Sequence, residues 1–132
     1  MRRGGGKGCP KRRGRQCGRG LIPSRPAPAR VGNVTLMLVE IATFRLVPGA
    51  SEADFLAADT RVQTEFVPFQ PGFMRRTTAR GEDGGWLVLT LWASRTTADR
   101  AQQAAGADPA GSAFAALIQP DSRRVERYET LD

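Results

Sequence analysis

Two periodicities alternate along residues 37–132. Met37–Val47 (MLVEIATFRLV) is rich in β-branched and apolar residues and ends at Pro48-Gly49, a pair that breaks regular structure. Ser51 follows as a helix cap, with Glu52 and Asp54 in the first turn, where acids complement the helix dipole. That helix is predicted to run to about Val67 and to stop before Pro68. Gln70-Pro71-Gly72 reads as a turn, Phe73–Arg80 as a second strand, Glu82-Asp83-Gly84-Gly85 as a hairpin turn and Trp86–Ala93 as a third strand. Ser94 caps a second helix to about Ala105, Ser112–Ile118 forms a short helix, and Ser122–Leu131 is the last strand.

The order β-α-β-β-α-β predicts an α+β, ferredoxin-like domain: a four-stranded antiparallel sheet with its helices on one face. The usual strand order puts the first and third strands at the centre. The third strand agrees, since Leu87, Leu89 and Leu91 on one face and Trp86, Val88 and Trp92 on the other are all apolar. The other two carry Arg75, Arg76, Arg80 and Arg123, Arg124, Arg127, which suits edges protected against further pairing. The sheet face without helices would expose a large apolar patch, so a homodimer through that face is expected.

The first helix breaks its own pattern. On a helical wheel of about 100° per residue, Phe55, Leu56, Val62, Phe66 and Val67 share one face. Asp59 and Gln63, one turn apart, stand in the middle of it. A buried carboxylate is costly unless paired, which leaves two readings open. Asp59 is satisfied by an arginine of the sheet (Arg45, Arg75 or Arg76), or helix and sheet leave a pocket in which Asp59 acts as a general base and Gln63 orients a ligand. Trp86 and Trp92 are candidates for the wall of such a pocket, or are ordinary core. Tyr128 has a weaker claim.

Charge divides the chain. Residues 1–36 hold ten Lys or Arg and no acid, whereas residues 37–132 hold ten Arg, no Lys and thirteen acids, so the net +7 is a +10 tail on a −3 domain. The basic character therefore says nothing about the folded part. Residues 1–34, rich in Gly, Arg and Pro, are read as a disordered tail, and residues 35–132 as the domain. The tail is either an arm that contacts nucleic-acid phosphates or translated text upstream of a natural start at Met37. Both cysteines, Cys9 and Cys17, lie in it, and the chain has no His. Cys/His zinc sites and Ser–His or Cys–His catalysis are thereby excluded from the domain. No metal or cofactor is expected. No segment is apolar enough to span a bilayer and no signal peptide is visible, so a cytoplasmic protein is expected.

Four stretches carry a resemblance: EIATFRLVPG at 40–49, QPGF at 70–73, LWAS at 91–94 and ADPAGSAFAAL at 107–117. Together they resemble the dimeric α/β-barrel superfamily, and within it the antibiotic biosynthesis monooxygenase-like group, over residues 37–132. The resemblance implies a pocket between helices and sheet for a small, partly apolar or aromatic molecule. It also implies either cofactor-independent oxygenation or a non-catalytic homodimer of the same fold. An Asn that such enzymes carry on the first strand corresponds to Ala42 here, and an aromatic or His on the second helix to about Ala101. With no His to ligate iron, the haem degradation known in the group is not expected.

Overall fold

The structure, a computed structural model, describes residues 29–31 and 34–131. The four strands of the main sheet are β1 (Leu38–Phe44), β2 (Phe73–Arg80), β3 (Trp86–Trp92) and β4 (Arg124–Glu129), and the helices are α1 (Glu52–Arg61), α2 (Arg95–Ala107) and α3 (Pro109–Ala116). All neighbouring strands are antiparallel, in the order β2-β3-β1-β4, so β1 and β3 are central as the sequence predicts. This is the α+β, ferredoxin-like arrangement. Strand β4 is shorter than expected at both ends, and a 3-10 turn, Pro120–Ser122, takes the first of the expected residues.

Most of the expected tail, including Cys9, Cys17 and all of its Lys and Arg residues except Arg30, lies outside the described residues. Within them, Ala29–Val31 pairs antiparallel with Val34–Leu36, a short ribbon where the composition predicted no structure.

Local chemistry explains the helix boundaries. The Ser51 hydroxyl accepts from the Asp54 N–H at 3.0 Å and starts α1. Ser94 and Thr97 form a reciprocal capping box at the start of α2. Asp108 accepts from the Gly111 N–H at 3.0 Å, and Pro109 opens α3 where its missing N–H costs nothing. Helix α3 therefore starts three residues earlier than the sequence reading placed it. Helix α1 does not end at Val67. It passes into a π-helical turn, Val62–Phe66, and a 3-10 turn, Val67–Phe69, which runs through Pro68.

Three apolar clusters join helices to sheet. Phe44, Trp86 and Val88 close around the fully buried Phe55 of α1 and Ile118. Leu38 and Trp92 meet Ala98 and Ala101 of α2, and Val62, Phe66 and Val67 meet Ala110 of α3. Leu56, expected on the buried face of α1, is exposed. No described helix covers the opposite sheet face, where Val39, Ile41, Leu87, Leu89 and Leu91 remain half-buried.

Two of the stretches noted in the sequence interlock. Gly72, at φ +84°, ends the turn before β2, and its carbonyl accepts from the Ala93 N–H at 2.7 Å, just after β3. A Cβ at Gly72 would lie 2.5 Å from the Thr97 side chain, so the QPGF turn and the capping box of α2 fit together only with glycine there. Gly72→Ala should therefore lower the melting temperature clearly, by steric conflict added to the ~1–2 kcal/mol cost of left-handed backbone. Gly106→Ala in α2, where an added methyl meets nothing within 4 Å, should hold or raise it, by about 0.5–1 kcal/mol. Thermal melts of both variants check this, and equal melting of Gly72→Ala and wild type would refute the interlock.

Candidate functional site

A cavity of about 610 Å³ separates the helices from the inner face of the sheet. Its floor includes Ala42, Val88, Thr90 and Trp92; its roof comes from the π turn, α2 and α3. The space exists because α2 turns mostly small residues, Ala98, Ala101, Ala105 and Gly106, toward it, with Gln102 at the margin. Alanines at these positions leave a gap that larger side chains would fill. The remaining lining is largely apolar, with Phe44, Phe66 and Phe114 at one side.

A buried arginine enters this apolar space. Arg76 of β2 lines the cavity, and its side chain is only 4% exposed. Its Nη2 lies 2.8 Å from Asp59 Oδ1, and its Nη1 donates to Gln63 Oε1 at 3.1 Å and to Thr78 Oγ1 at 3.4 Å. Thr78 in turn donates to Asp59 Oδ1 at 2.9 Å. The guanidinium carbon stands 5.5 Å from the centre of the Phe114 ring, within cation–π range. Only Nη1 of the guanidinium has hydrogen-bond acceptors; Nη2 makes the ion contact with Asp59, and Nε finds no acceptor among the described residues.

These positions revise the site read from the sequence. Asp59 and Gln63 do lie together on the inner side of the first helix, but neither lines the cavity. Asp59 directs Oδ1 at both Arg76 and Thr78, the pairing that the first of the two readings expects, and Oδ2 accepts nothing among the described residues. Gln63 orients Arg76. Trp92 lines the cavity, as a wall residue would. Trp86 does not; it packs 4.5 Å from Phe55, ring centre to ring centre, in the aromatic core. Arg76, read as edge protection, faces inward.

A second polar group closes the cavity on the β4 side. Glu40 of β1 and Gln102 of α2 line it. Arg127 of β4 bridges Glu40 (Nη2 to Oε2, 2.9 Å) and Asp99 of α2 (Nη1 to Oδ1, 2.6 Å). Burial disfavours the charge of Arg127, but the hydrogen bonds to Asp99 and Glu40 outweigh it and leave the guanidinium more firmly protonated than usual. Glu40 was not singled out in the sequence, although strand alternation places it on the same face as buried Leu38 and Phe44. The test that flagged Asp59, a charge on an apolar face, flags Glu40 equally when applied at period two.

No family model matches the chain, and no curated protein matches it. Solved structures do. SnoaB, a cofactor-independent oxygenase from Streptomyces nogalater, is 22% identical over 73% of this chain and 92% of its own, with a TM-score of 0.55. A Bordetella bronchiseptica protein provisionally named an antibiotic biosynthesis monooxygenase is 18% identical over 73% and 98%, with a TM-score of 0.61. Rv0793 from Mycobacterium tuberculosis is 19% identical over 73% and 96%, with a TM-score of 0.55.

The fold is that of the antibiotic biosynthesis monooxygenase-like α/β-barrel proteins. Within that fold, the described residues contain no cluster of three His, Cys, Asp or Glu able to hold a metal ion, and no helix long and apolar enough to cross a membrane.

The Asp59–Arg76 pair carries a direct test. Asp59→Leu strands a guanidinium in the interior and should cost on the order of 3 kcal/mol, seen as a clear fall in melting temperature. Replacing both partners, Asp59→Leu with Arg76→Met, should recover most of that loss. A single variant that melts at or above wild type would mean that the pair does not hold the site together.

Proposed function

We propose that this chain is an antibiotic biosynthesis monooxygenase-like protein that binds a small, partly apolar or aromatic molecule between its helices and sheet. The observation that carries the reading is the alanine-roofed cavity with one buried guanidinium at its wall. Ligand sites are typically about 300–1,000 Å³, apolar, with few placed polar groups, and the cavity fits that description. Arg76 is tied to Asp59, so the pair brings no net charge. Its spare N–H groups suit a carbonyl or phenolic oxygen. If the molecule is oxygenated, as the activity of SnoaB suggests, the same N–H groups would stabilise negative charge on that oxygen.

A second reading is a non-catalytic binding protein of the same fold. It is favoured by the pairing of both nearby carboxylates, Asp59 and Glu40, with arginines. Both readings share the cavity, which 1-naphthol tests through quenching of tryptophan fluorescence. Wild type should bind and saturate. Ala101→Leu, which fills the roof beside Trp92, should weaken binding at least tenfold while leaving the melting temperature near wild type. Unchanged affinity in that variant would refute the cavity as the binding site.

We propose further that two copies pair through the helix-free sheet face. An apolar patch built from Val39, Ile41, Leu87, Leu89 and Leu91 is unusual on a soluble monomer. Light scattering should give twice the chain mass, and Leu89→Arg should give the single-chain mass. A wild-type monomer at micromolar concentration would overturn this arrangement.

A further inference from the structure

A row of four polar residues crosses the inner face of the sheet. Arg76 pairs in register with Thr90, Thr90 with Glu40, and Glu40 with Arg127, one residue from each strand. The rows on either side are mostly apolar: Phe73, Trp92 and Leu38 on one, Val88, Ala42 and Val125 on the other. Placing such a row on the floor of an apolar cavity costs free energy unless its hydrogen-bonding capacity is used.

Much of that capacity is used within the protein, but not all. Arg127 directs both Nε and Nη2 at the same oxygen of Glu40, Oε2, each at 2.9 Å. The other oxygen, Oε1, accepts nothing from the described residues. Arg127 is itself clamped from the far side by Asp99 and reaches Gln102 at 3.4 Å, so the Glu40 carboxylate is held in one orientation. One row away stands an unspent donor. The Nε1–H of Trp92, a residue 4% exposed, has no acceptor among the described residues, although Trp92 lines the cavity.

We infer that Glu40 is the residue that reads the ligand: Oε1 accepts a hydrogen bond from a hydroxyl or amino group of the bound molecule, with Arg127 as the positioning residue. The inference rests on the cavity reading and deepens it by naming the ligand's chemistry. Glu40, Arg127 and Asp99 together carry one negative charge, so this end of the cavity favours a proton donor and disfavours a carboxylate. Two strands away, the spare N–H groups of Arg76 suit an acceptor oxygen. The ligand class is therefore a flat, apolar molecule with a hydrogen-bond donor at one end and an acceptor at the other.

Two probes of near-equal shape test it on the full chain. 1-Naphthol carries the donor and 1-methoxynaphthalene lacks it. A hydrogen bond to a carboxylate is worth ~1.5–3 kcal/mol, so wild type should prefer 1-naphthol about tenfold or more. Glu40→Leu should abolish that preference, lowering affinity for 1-naphthol and leaving that for 1-methoxynaphthalene within about twofold. Glu40→Gln, which keeps the side chain's shape, should narrow the preference if the leucine variant does not fold. Arg127→Ala should narrow it as well, with no effect on 1-methoxynaphthalene. Equal binding of the two probes by wild type, or a preference that survives both Glu40 variants, would overturn the role of Glu40 and leave the cavity reading intact. Failure of both probes to bind would overturn the two together.

Discussion

A guanidinium held in the interior organises this domain. Arg76 is almost completely buried, and a charge in that position is tolerable only when it is paired and hydrogen-bonded. Its partners come from α1 (Asp59), from the π turn that follows (Gln63) and from its own strand (Thr78), while Phe114 of α3 presents a ring face to it. One side chain thus ties most of the helical layer to an edge strand. The π turn belongs to this arrangement. Irregular turns of that kind gather at functional sites, and here Gln63 lies within it, in reach of Arg76.

The cavity is the complement of that constraint. At one end the aromatic cluster of Phe44, Phe55, Trp86 and Phe114 packs helices and sheet into direct contact. Toward α2 the roof thins to alanine, and the two layers are held apart by the neighbouring packed regions rather than by anything within the gap. Arg76 on one side and the Glu40–Arg127–Asp99 chain on the other fix the polar groups of the space. Each carboxylate here is oriented by an arginine, an arrangement suited to recognising a ligand's hydrogen-bonding pattern.

Several of the sequence stretches that resemble the family turn out to be joints. Gly72 in QPGF meets Thr97, three residues beyond the serine of LWAS. Asp108 and Pro109 begin the short helix that brings Phe114 to the cavity. Such stretches specify where elements meet, and that is why the fold was legible from them while the chemistry was not. The polar face of α1 was legible too. Asp59 and Gln63 break an apolar stripe, and helical periodicity alone exposes the break.

By itself, the sequence determined the order of the main-sheet strands and their helices, the caps at Ser51 and Ser94, the central places of β1 and β3, and the presence of a polar group under α1. These follow from local rules: periodicity, breakers and capping chemistry act over a few residues and need no knowledge of what lies opposite. Only the tertiary structure decided which arginine answers Asp59. Counting by twos from Phe73 puts Arg75 on the inner face and Arg76 outside. A register shift between Phe73 and Arg75 reverses that parity and turns Arg76 inward, opposite Thr90. A bulge is a property of two paired strands, so one strand's sequence does not announce it. The same holds for Glu40, whose meaning depends on Arg127, 87 residues away, and for the cavity, which is the volume left over once every other contact has been made.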